Sequence, residues 1–417
     1  MISYQNSKKI LKKSIINIKD ENILSISSLN RVTSSNIYSK FNYPSGDNAA
    51  FDGYAINSND TKTIKKNNPK KFKIIGTIAA GNKPPKNKIK RFEAVEIMTG
   101  GIIPTGFDTI IPIEQIKYYP SSNKRKFILI DKKITKYNHV RFKGSDYKKN
   151  ELVIKKNTII QPNHILALKT LGIKKIKIKK KINILFFSTG NEISNKDNIE
   201  DWKVRNSNSH YINALKDNLL FNFKYGGILR DNHEKIFQSK IRKMLNSKID
   251  IIVTSGAVSA GKFDYVPSVI KKFKLSNYFK SVEIRPGKPI LFAKFKGKQK
   301  AIFGLPGNPM SSAACFRFFV YPYISNLLGL KDEQSLKAVL KNEFIKKKSL
   351  TRFAKSKINT TKNGKIEVEI LKGQESFRIK SFVKSNIWAL LPAGKTKFKK
   401  GEIIDCFLPN HSNQSLL

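Results

Sequence analysis

The segment Ile249 to Asp264, IDIIVTSGAVSAGKFD, constrains the fold of this chain more than any other. Ile249, Ile251, Ile252 and Val253 make a short β-branched run of the kind expected of a strand buried on both faces of a parallel sheet. The run stops at Thr254-Ser255-Gly256. Small residues there let the backbone come close to a ligand, and the apolar pattern after Phe263 predicts a helix whose N-terminus attracts an anion. Asp264 stands where that helix should begin, either as its cap or as a group that serves the ligand. Two further junctions have the same chemistry. Ala301 to Leu305 reads as a strand running into Pro306-Gly307-Asn308-Pro309 and then a helical pattern from Ser311 to Leu328. Ile182 to Phe187 is closed by Ser188-Thr189-Gly190-Asn191-Glu192. Three such junctions predict a cleft at the carboxyl ends of the strands of an open α/β sheet.

The chain has 417 residues, enough for about three domains, each with its own core. Its formal charge of +50 would ordinarily mark a nucleic-acid binder. The excess is mostly Lys, however, and it is spread among many Asn and Ile residues that share AT-rich codons. No RNP-type aromatic motif, zinc-ligand spacing or basic heptad region accompanies it, so no nucleic-acid partner is expected. Cys315 and Cys406 fit buried thiols in a reducing compartment better than a bridge. No apolar run reaches the roughly 18 to 20 residues that span a bilayer, and the basic N-terminus lacks the apolar core of a signal peptide. The expected location is cytoplasmic, with no membrane partner.

In chain order, residues 4 to about 26 read as a helix, with Ile10, Leu11, Ile15, Ile16 and Ile18 as its apolar stripe. The stretch from Pro44 to Asp60 is rich in turn residues but too apolar for a solvated loop. Short runs and tight turns follow, so residues 54–138 are expected to form a β-rich lobe. A helical pattern from Ile159 to Leu171 ends at Gly172 and should lie beside the N-terminal helix, which makes the lobe an insertion into a helical stem, 1–53 with 139–178. From 179 to 329 strands and helices alternate, with a helix from Ser209 to Phe221, a short strand ending in Asp231, a helix from Glu234 to Leu245 and strands at Ser281 to Ile284 and Ile290 to Phe295. Residues 330–417 read as a small β domain. The expected fold is therefore multidomain: a doubly wound α/β central domain, the inserted lobe on its helical stem, and a small barrel-like β domain at the C-terminus.

Asp52, Glu192, Asp231 and Asp264 stand at the ends of loops that look functional, in a chain with 30 acidic residues against 80 basic ones. Carboxylates at strand ends beside phosphate-type loops suit Mg²⁺ bridging a phosphorylated ligand. The residues alone point to chemistry on a phosphate ester or pyrophosphate and no further.

The runs DNAAFDGYA (Asp47 to Ala55), MTGGIIPTGFDTII (Met98 to Ile111), STGNE (Ser188 to Glu192), TSGAVSAGKFDYV (Thr254 to Val266), RPGKP (Arg285 to Pro289) and GLPGNPMSS (Gly304 to Ser312) resemble the signatures of the molybdopterin molybdenumtransferase family, MoeA in bacteria, which is related to the gephyrin E domain. They occur in the family's order across most of the chain. The resemblance implies Mg²⁺-dependent insertion of molybdate into adenylylated molybdopterin with release of AMP. It also implies a homodimer whose cleft lies between the α/β domain of one chain and parts of the other, with the molybdopterin adenylyltransferase and acceptor molybdoenzymes as further partners. Asp52, Thr99, Glu192, Asp231 and Asp264 fall on the family's active-site positions, and of these Asp231, Asp264 and Glu192 would hold the metal. The resemblance also carries over Ser188, Gly190, Ser255, Gly256, Gly307 and Asn308 as pterin-phosphate contacts. Arg285 and Lys288 would attract oxyanions, and Ser376 would serve molybdate binding.

Three departures stand out. Ala257 takes the place of a second glycine, Asn206 that of an aspartate, and Glu375 and Phe377 flank Ser376 where glycines are usual. They keep a second reading open, a catalytically weakened pterin-binding scaffold of the same family.

Overall fold

A computed structural model describes residues 1–85, 88–217, 220–259 and 264–409. Residues 260–263 of the TSGAVSAGKFD segment lie outside the described residues. The strand Ile251–Ser255 is buried along its whole length in a six-stranded sheet. The strand order is Phe221–Leu229, Ile182–Thr189, Ile251–Ser255, Ala301–Leu305, Leu291–Phe295 and Leu275–Lys280. The first four run parallel, and Leu291–Phe295 runs antiparallel to both of its neighbours. Because side chains alternate across a strand, Ile251 and Val253 feed one core and Ile252 the other. The first core is closed by a helical run from Pro309 to Leu327 that has a π-helical turn at Phe316–Val320. The second is closed by the helices Glu234–Leu245 and Val266–Lys271. Helices cover both faces, so the central domain is doubly wound.

The lobe is a six-stranded sheet whose segments run from Gly53 to Ile130, with a small core on each face. At the C-terminal end, Thr351–Thr360, Ile366–Ile370, Leu336–Leu340, Ile403–Phe407 and Ile387–Leu391 pair in that order. The last strand returns to the first, which closes a five-stranded barrel around Ala354, Val368, Ala389 and Ile404. Ile284–Arg285 adds a short parallel pairing to Thr351–Arg352. That pairing ties the RPGKP segment to the barrel wall. Among the described residues no helix is long and apolar enough to cross a membrane.

Three local expectations are corrected. The N-terminal helix covers only Tyr4–Lys13, closed at Ser14, and Asp20–Leu24 is a strand paired with Lys175–Lys179. From Ser14 to Ile18 burial alternates residue by residue, with Ser14, Ile16 and Ile18 inside, so the isoleucines serve an extended chain. The helix does not lie beside Pro162–Thr170. Tyr4 packs edge-on against Phe319 and Phe353, with ring centroids 5.4 and 5.3 Å away, and the helix joins the central core. The stem is held by Pro162–Thr170 and antiparallel strand pairs around Ile37, Ile154, Leu168 and Ile178. Second, the helix expected to reach Phe221 is Ser207–Ala214, and Phe221 opens a strand parallel to Ile182–Thr189. Third, the edge strand is Leu275–Lys280, whereas Ser281 takes φ +66, Val282 makes a single bridge to Ile2, and the short strand Ile284–Arg285 follows.

Candidate functional site

At the carboxyl ends of the parallel strands opens a cavity of about 560 Å³. Gly190, Glu192, Asp231, Gly256, Asp264, Gly307 and Asn308 all line it. The backbone explains why glycine is needed at two of these positions. Gly190 has φ +130, and a Cβ there would collide with the Glu192 carboxylate, which folds back over it. Gly256 has φ +103, and a Cβ would press on the Thr189 carbonyl at 2.7 Å. Gly307 comes so close that its own Cβ would stand 3.7 Å from the Gly256 Cα. Two loops thus meet backbone to backbone, which leaves the cleft floor open to a ligand's phosphate.

Ser188 and Ser255 lie beneath this floor. Ser188 Oγ donates to Asn206 Oδ1 at 2.8 Å, and Asn206 Nδ2 donates to Asn195 Oδ1 at 2.8 Å and Tyr225 Oη at 2.9 Å. An aspartate at 206 would lack the donor for those last two bonds. Asn208 Nδ2 donates to Ser255 Oγ at 2.6 Å and to the Gly307 carbonyl at 2.8 Å, joining the second loop to the third. Asp264 does not occupy the N-cap. It stands one residue before Tyr265, the N-cap of the six-residue helix Val266–Lys271.

Sequence reasoning missed Arg230. Its Nη1 donates to the carbonyls of Gly190, Asn191 and Ile193 at 3.1, 3.0 and 2.9 Å. The Asp231 backbone N–H donates to Asn191 Oδ1 at 3.2 Å. Arg230 therefore fixes the loop that carries Glu192 against the strand end that carries Asp231. Only its place beside Asp231 hinted at this.

Among the described residues no three His, Cys, Asp or Glu side chains form a metal-binding group. Glu192, Asp231 and Asp264 instead face one cleft from three different loops. Such a donor set suits a hard divalent cation that one or two carboxylates share with a ligand's phosphate, the usual arrangement for Mg²⁺.

A second pocket of about 210 Å³ lies where the central domain meets the barrel. Arg285 lines it beside Arg352, Lys346, Lys347, Gln374 and Glu375. The parallel register sets Arg285 opposite Arg352. Arg352 is buried, and burial followed by the charge of Arg285 pulls its guanidinium down to about 10. Its Nη2 donates to the Gln374 carbonyl at 2.9 Å, while Nε has no partner. Behind it, buried Lys355 donates from Nζ to the carbonyls of Glu375 at 3.1 Å and Arg378 at 2.9 Å. Burial, then repulsion from Arg352, pushes the Lys355 ammonium down to about 8. Ser376 is partly buried between the residues these groups hold. Two buried cations, one with an unsatisfied N–H, make the pocket a receptor for an oxyanion. The segment from Arg285 runs through exposed Lys288 to Pro289, which lines the first cleft, so the two cavities are neighbours.

Asp52 and Thr99 line neither cavity. In the lobe, Thr99 N and Oγ1 donate to Asp52 Oδ1 at 2.6 and 2.8 Å, which holds the carboxyl below its ordinary range.

Ala257 also lines the cleft, in the left-handed region at φ +53. A non-glycine residue there costs about 1–2 kcal/mol, whereas glycine gives back about 0.4–1 kcal/mol through the unfolded chain. Ala257→Gly is therefore expected to raise stability by up to about 1 kcal/mol, read from the denaturant midpoint. A loss of stability would show that the alanine is unstrained.

Three family models match the chain. They are the MoeA N-terminal region (domain I and II) over residues 2–172, a probable molybdopterin binding domain over residues 186–326, and the MoeA C-terminal region (domain IV) over residues 337–408. A molybdopterin molybdenumtransferase of Staphylococcus aureus (strain COL) is 32% identical over 385 residues, covering 91% of this chain and 89% of its own. One from Staphylococcus epidermidis (strain ATCC 12228 / FDA PCI 1200) is 30% identical over 410 residues, covering 98% and 95%. The molybdopterin biosynthesis moeA protein of Pyrococcus horikoshii OT3 has the same fold, with a TM-score of 0.82 at 26% identity, covering 98% of this chain and 100% of that one.

Proposed function

This chain belongs to the molybdopterin molybdenumtransferase (MoeA) family of molybdenum cofactor biosynthesis, and from that premise we propose that its cleft takes adenylylated molybdopterin and its Arg285–Arg352 pocket takes molybdate. The observation that carries this reading is the adjacency of an acidic, glycine-floored cleft and a buried cationic pocket along one short segment, Arg285 to Pro289. In the reaction the two dithiol sulfurs give up their protons and bond to molybdenum, and two molybdate oxygens take up protons and leave as water. One water is consumed as its oxygen bonds to phosphorus while the phosphoanhydride P–O bond breaks to free AMP. Backbone N–H groups around Gly256 and Gly307 receive the phosphate. Arg285, Arg352 and Lys288 draw in molybdate, with Ser376 at the pocket's edge. Asp231 and Asp264, with Glu192, would hold Mg²⁺ together with ligand oxygens, and Mg²⁺ when bound would offset the charge that develops on the departing AMP. Glu192 also orients the reacting group, and Arg230 keeps it in place.

The Asp52–Thr99 pair is best understood as serving the cleft of a second copy, because it lines neither of the two cavities described above. The working unit is then a homodimer in the cytoplasm. The decisive experiment is AMP release from adenylylated molybdopterin, with and without molybdate and Mg²⁺. Release that requires both is the expected result. Tight pterin binding without turnover would favour the scaffold instead.

Molybdate binding should also depend on pH through Lys355. As pH rises through about 8, its ammonium loses the proton and the pocket loses a positive charge, so affinity for molybdate falls. Stability moves the other way. Between about 8 and the ordinary lysine value of 10.5, the unfolded chain binds more protons than the folded one, so folding gains as pH rises through that window. Molybdate titrations about one pH unit below and above 8, short of the range where Arg352 titrates, should show the decline in the natural protein and a flat profile in Lys355→Met. An equal slope in both would remove Lys355 from the account.

A further inference from the structure

Of the chain's two tryptophans, Trp388 is sealed in the core at 1% exposure, whereas Trp202 is 72% exposed. Leaving an indole in water forgoes a large hydrophobic gain, and its position here is not random. Trp202 belongs to the excursion that leaves the cleft at Ile193 and returns at Val204, and both of those residues line the cavity. This excursion is pinned to the cleft's rim. Ile193–Ser194 pairs with Val204–Arg205, the Val204 N–H donates to the Glu192 carbonyl at 2.8 Å, and Lys203 Nζ donates to the Asn191 carbonyl at 2.9 Å. Trp202 stands in a turn closed by the Lys203 N–H donating to the Glu200 carbonyl at 2.9 Å, and two residues of chain separate it from cavity-lining Val204 by at most about 7 Å, which keeps the indole near the cavity's mouth.

The cavity is lined by glycines, carboxylates, prolines and small aliphatic side chains, and none of the described residues that line it is aromatic. A ligand with a planar heterocycle would find phosphate and metal groups there but no π surface. Along the chain, the aromatic nearest to this rim is Trp202, two residues before half-exposed Val204.

We infer that Trp202 is the stacking platform for a planar heterocycle of the substrate, the adenine or the pterin ring, at the mouth of the cleft. This rests on the reading of the cleft as the site for adenylylated molybdopterin. It makes Trp202 a binding residue: it holds the ligand in place and takes no part in bond breaking.

The two tryptophans provide the measurement. Because Trp388 is buried, a change in intrinsic fluorescence on ligand addition reports on Trp202. AMP and neopterin monophosphate are titrated separately into the full chain with fluorescence as the readout, and the affinities of the full chain, Trp202→Phe and Trp202→Ala are compared by calorimetry. Quenching by AMP alone assigns the adenine, and quenching by the pterin alone assigns the pterin. Trp202→Ala should weaken the quenching ligand about tenfold or more, with Trp202→Phe retaining most of the affinity. In turnover, Trp202→Ala should raise KM for adenylylated molybdopterin and leave kcat unchanged. If the natural protein releases AMP but neither ligand quenches and KM is unmoved in Trp202→Ala, the platform is refuted and the transferase reading stands. If the natural protein neither binds AMP nor releases it, the transferase reading fails and takes the platform with it.

Discussion

Arg317→Met is expected to destabilise the protein by about 3–5 kcal/mol, the cost of removing one partner from a buried ion pair. The Arg317 side chain is 1% exposed, inside the π-helical turn Phe316–Val320. Its Nη2 donates to both Glu333 oxygens, at 2.7 and 2.8 Å, and its Nε donates to the Leu408 carbonyl at 2.6 Å. The guanidinium also lies over the rings of Tyr321, Phe318 and Phe407, with centroids 5.2, 5.6 and 5.7 Å away. One cation thus joins the long central helix to the segment that enters the barrel and to the strand that leaves it. Methionine would fill much of the space but leave the Glu333 carboxylate without this guanidinium. Adding Glu333→Gln should therefore recover a good part of the loss, because the remaining group no longer carries a charge. Denaturant unfolding of the two single variants and the double variant measures the coupling. A single-variant loss within about 1 kcal/mol would mean that the pair behaves like an exposed one.

The second large effect concerns rate rather than stability. Asp264→Asn and Asp231→Asn are each expected to lower molybdate-dependent AMP release by about 10²- to 10³-fold, the scale of one preorganised electrostatic contact. Each change keeps shape and removes charge, so the variants should need more Mg²⁺ for half-maximal rate. The competing account makes Asp264 a helix cap, whose loss would cost about 1 kcal/mol of stability with little effect on rate. Tyr265 holds the N-cap position, and the helix it opens is only six residues long. The cleft, by contrast, is lined by Asp264 together with Glu192 and Asp231. Unfolding and turnover measured on the same variant separate the two accounts, and a full rate with a weakened fold would overturn the catalytic one.

The strand ends at Thr189, Ser255 and Leu305 were legible because they are local. A short β-branched run closed by small residues reads as a buried strand, and at Gly190 and Gly256 a side chain would collide with Glu192 and with the Thr189 carbonyl. The same logic failed from Ser14 to Ile18. There the isoleucines fit a helical stripe and an alternating extended chain equally well, and only the docking of Ile16 and Ile18 into the central core decided between them. Arg352 and Lys355 left no local trace either. A cation in a barrel strand reads as solvated until the strand pairs with Ile284–Arg285 and folds its charge against another.

By itself, the sequence determined the order of the parts, the doubly wound sheet, the glycine-floored loops and the acids placed at their ends, because each depends on residues near one another in the chain. The tertiary structure alone decided that Arg285 faces Arg352, that Arg230 gathers three carbonyls of a loop distant in the chain, and that Asp52, held by Thr99, is absent from the cleft that Glu192, Asp231 and Asp264 line. Those outcomes depend on how separate cores dock. The packing of remote surfaces sets that docking, and no short-range pattern records it.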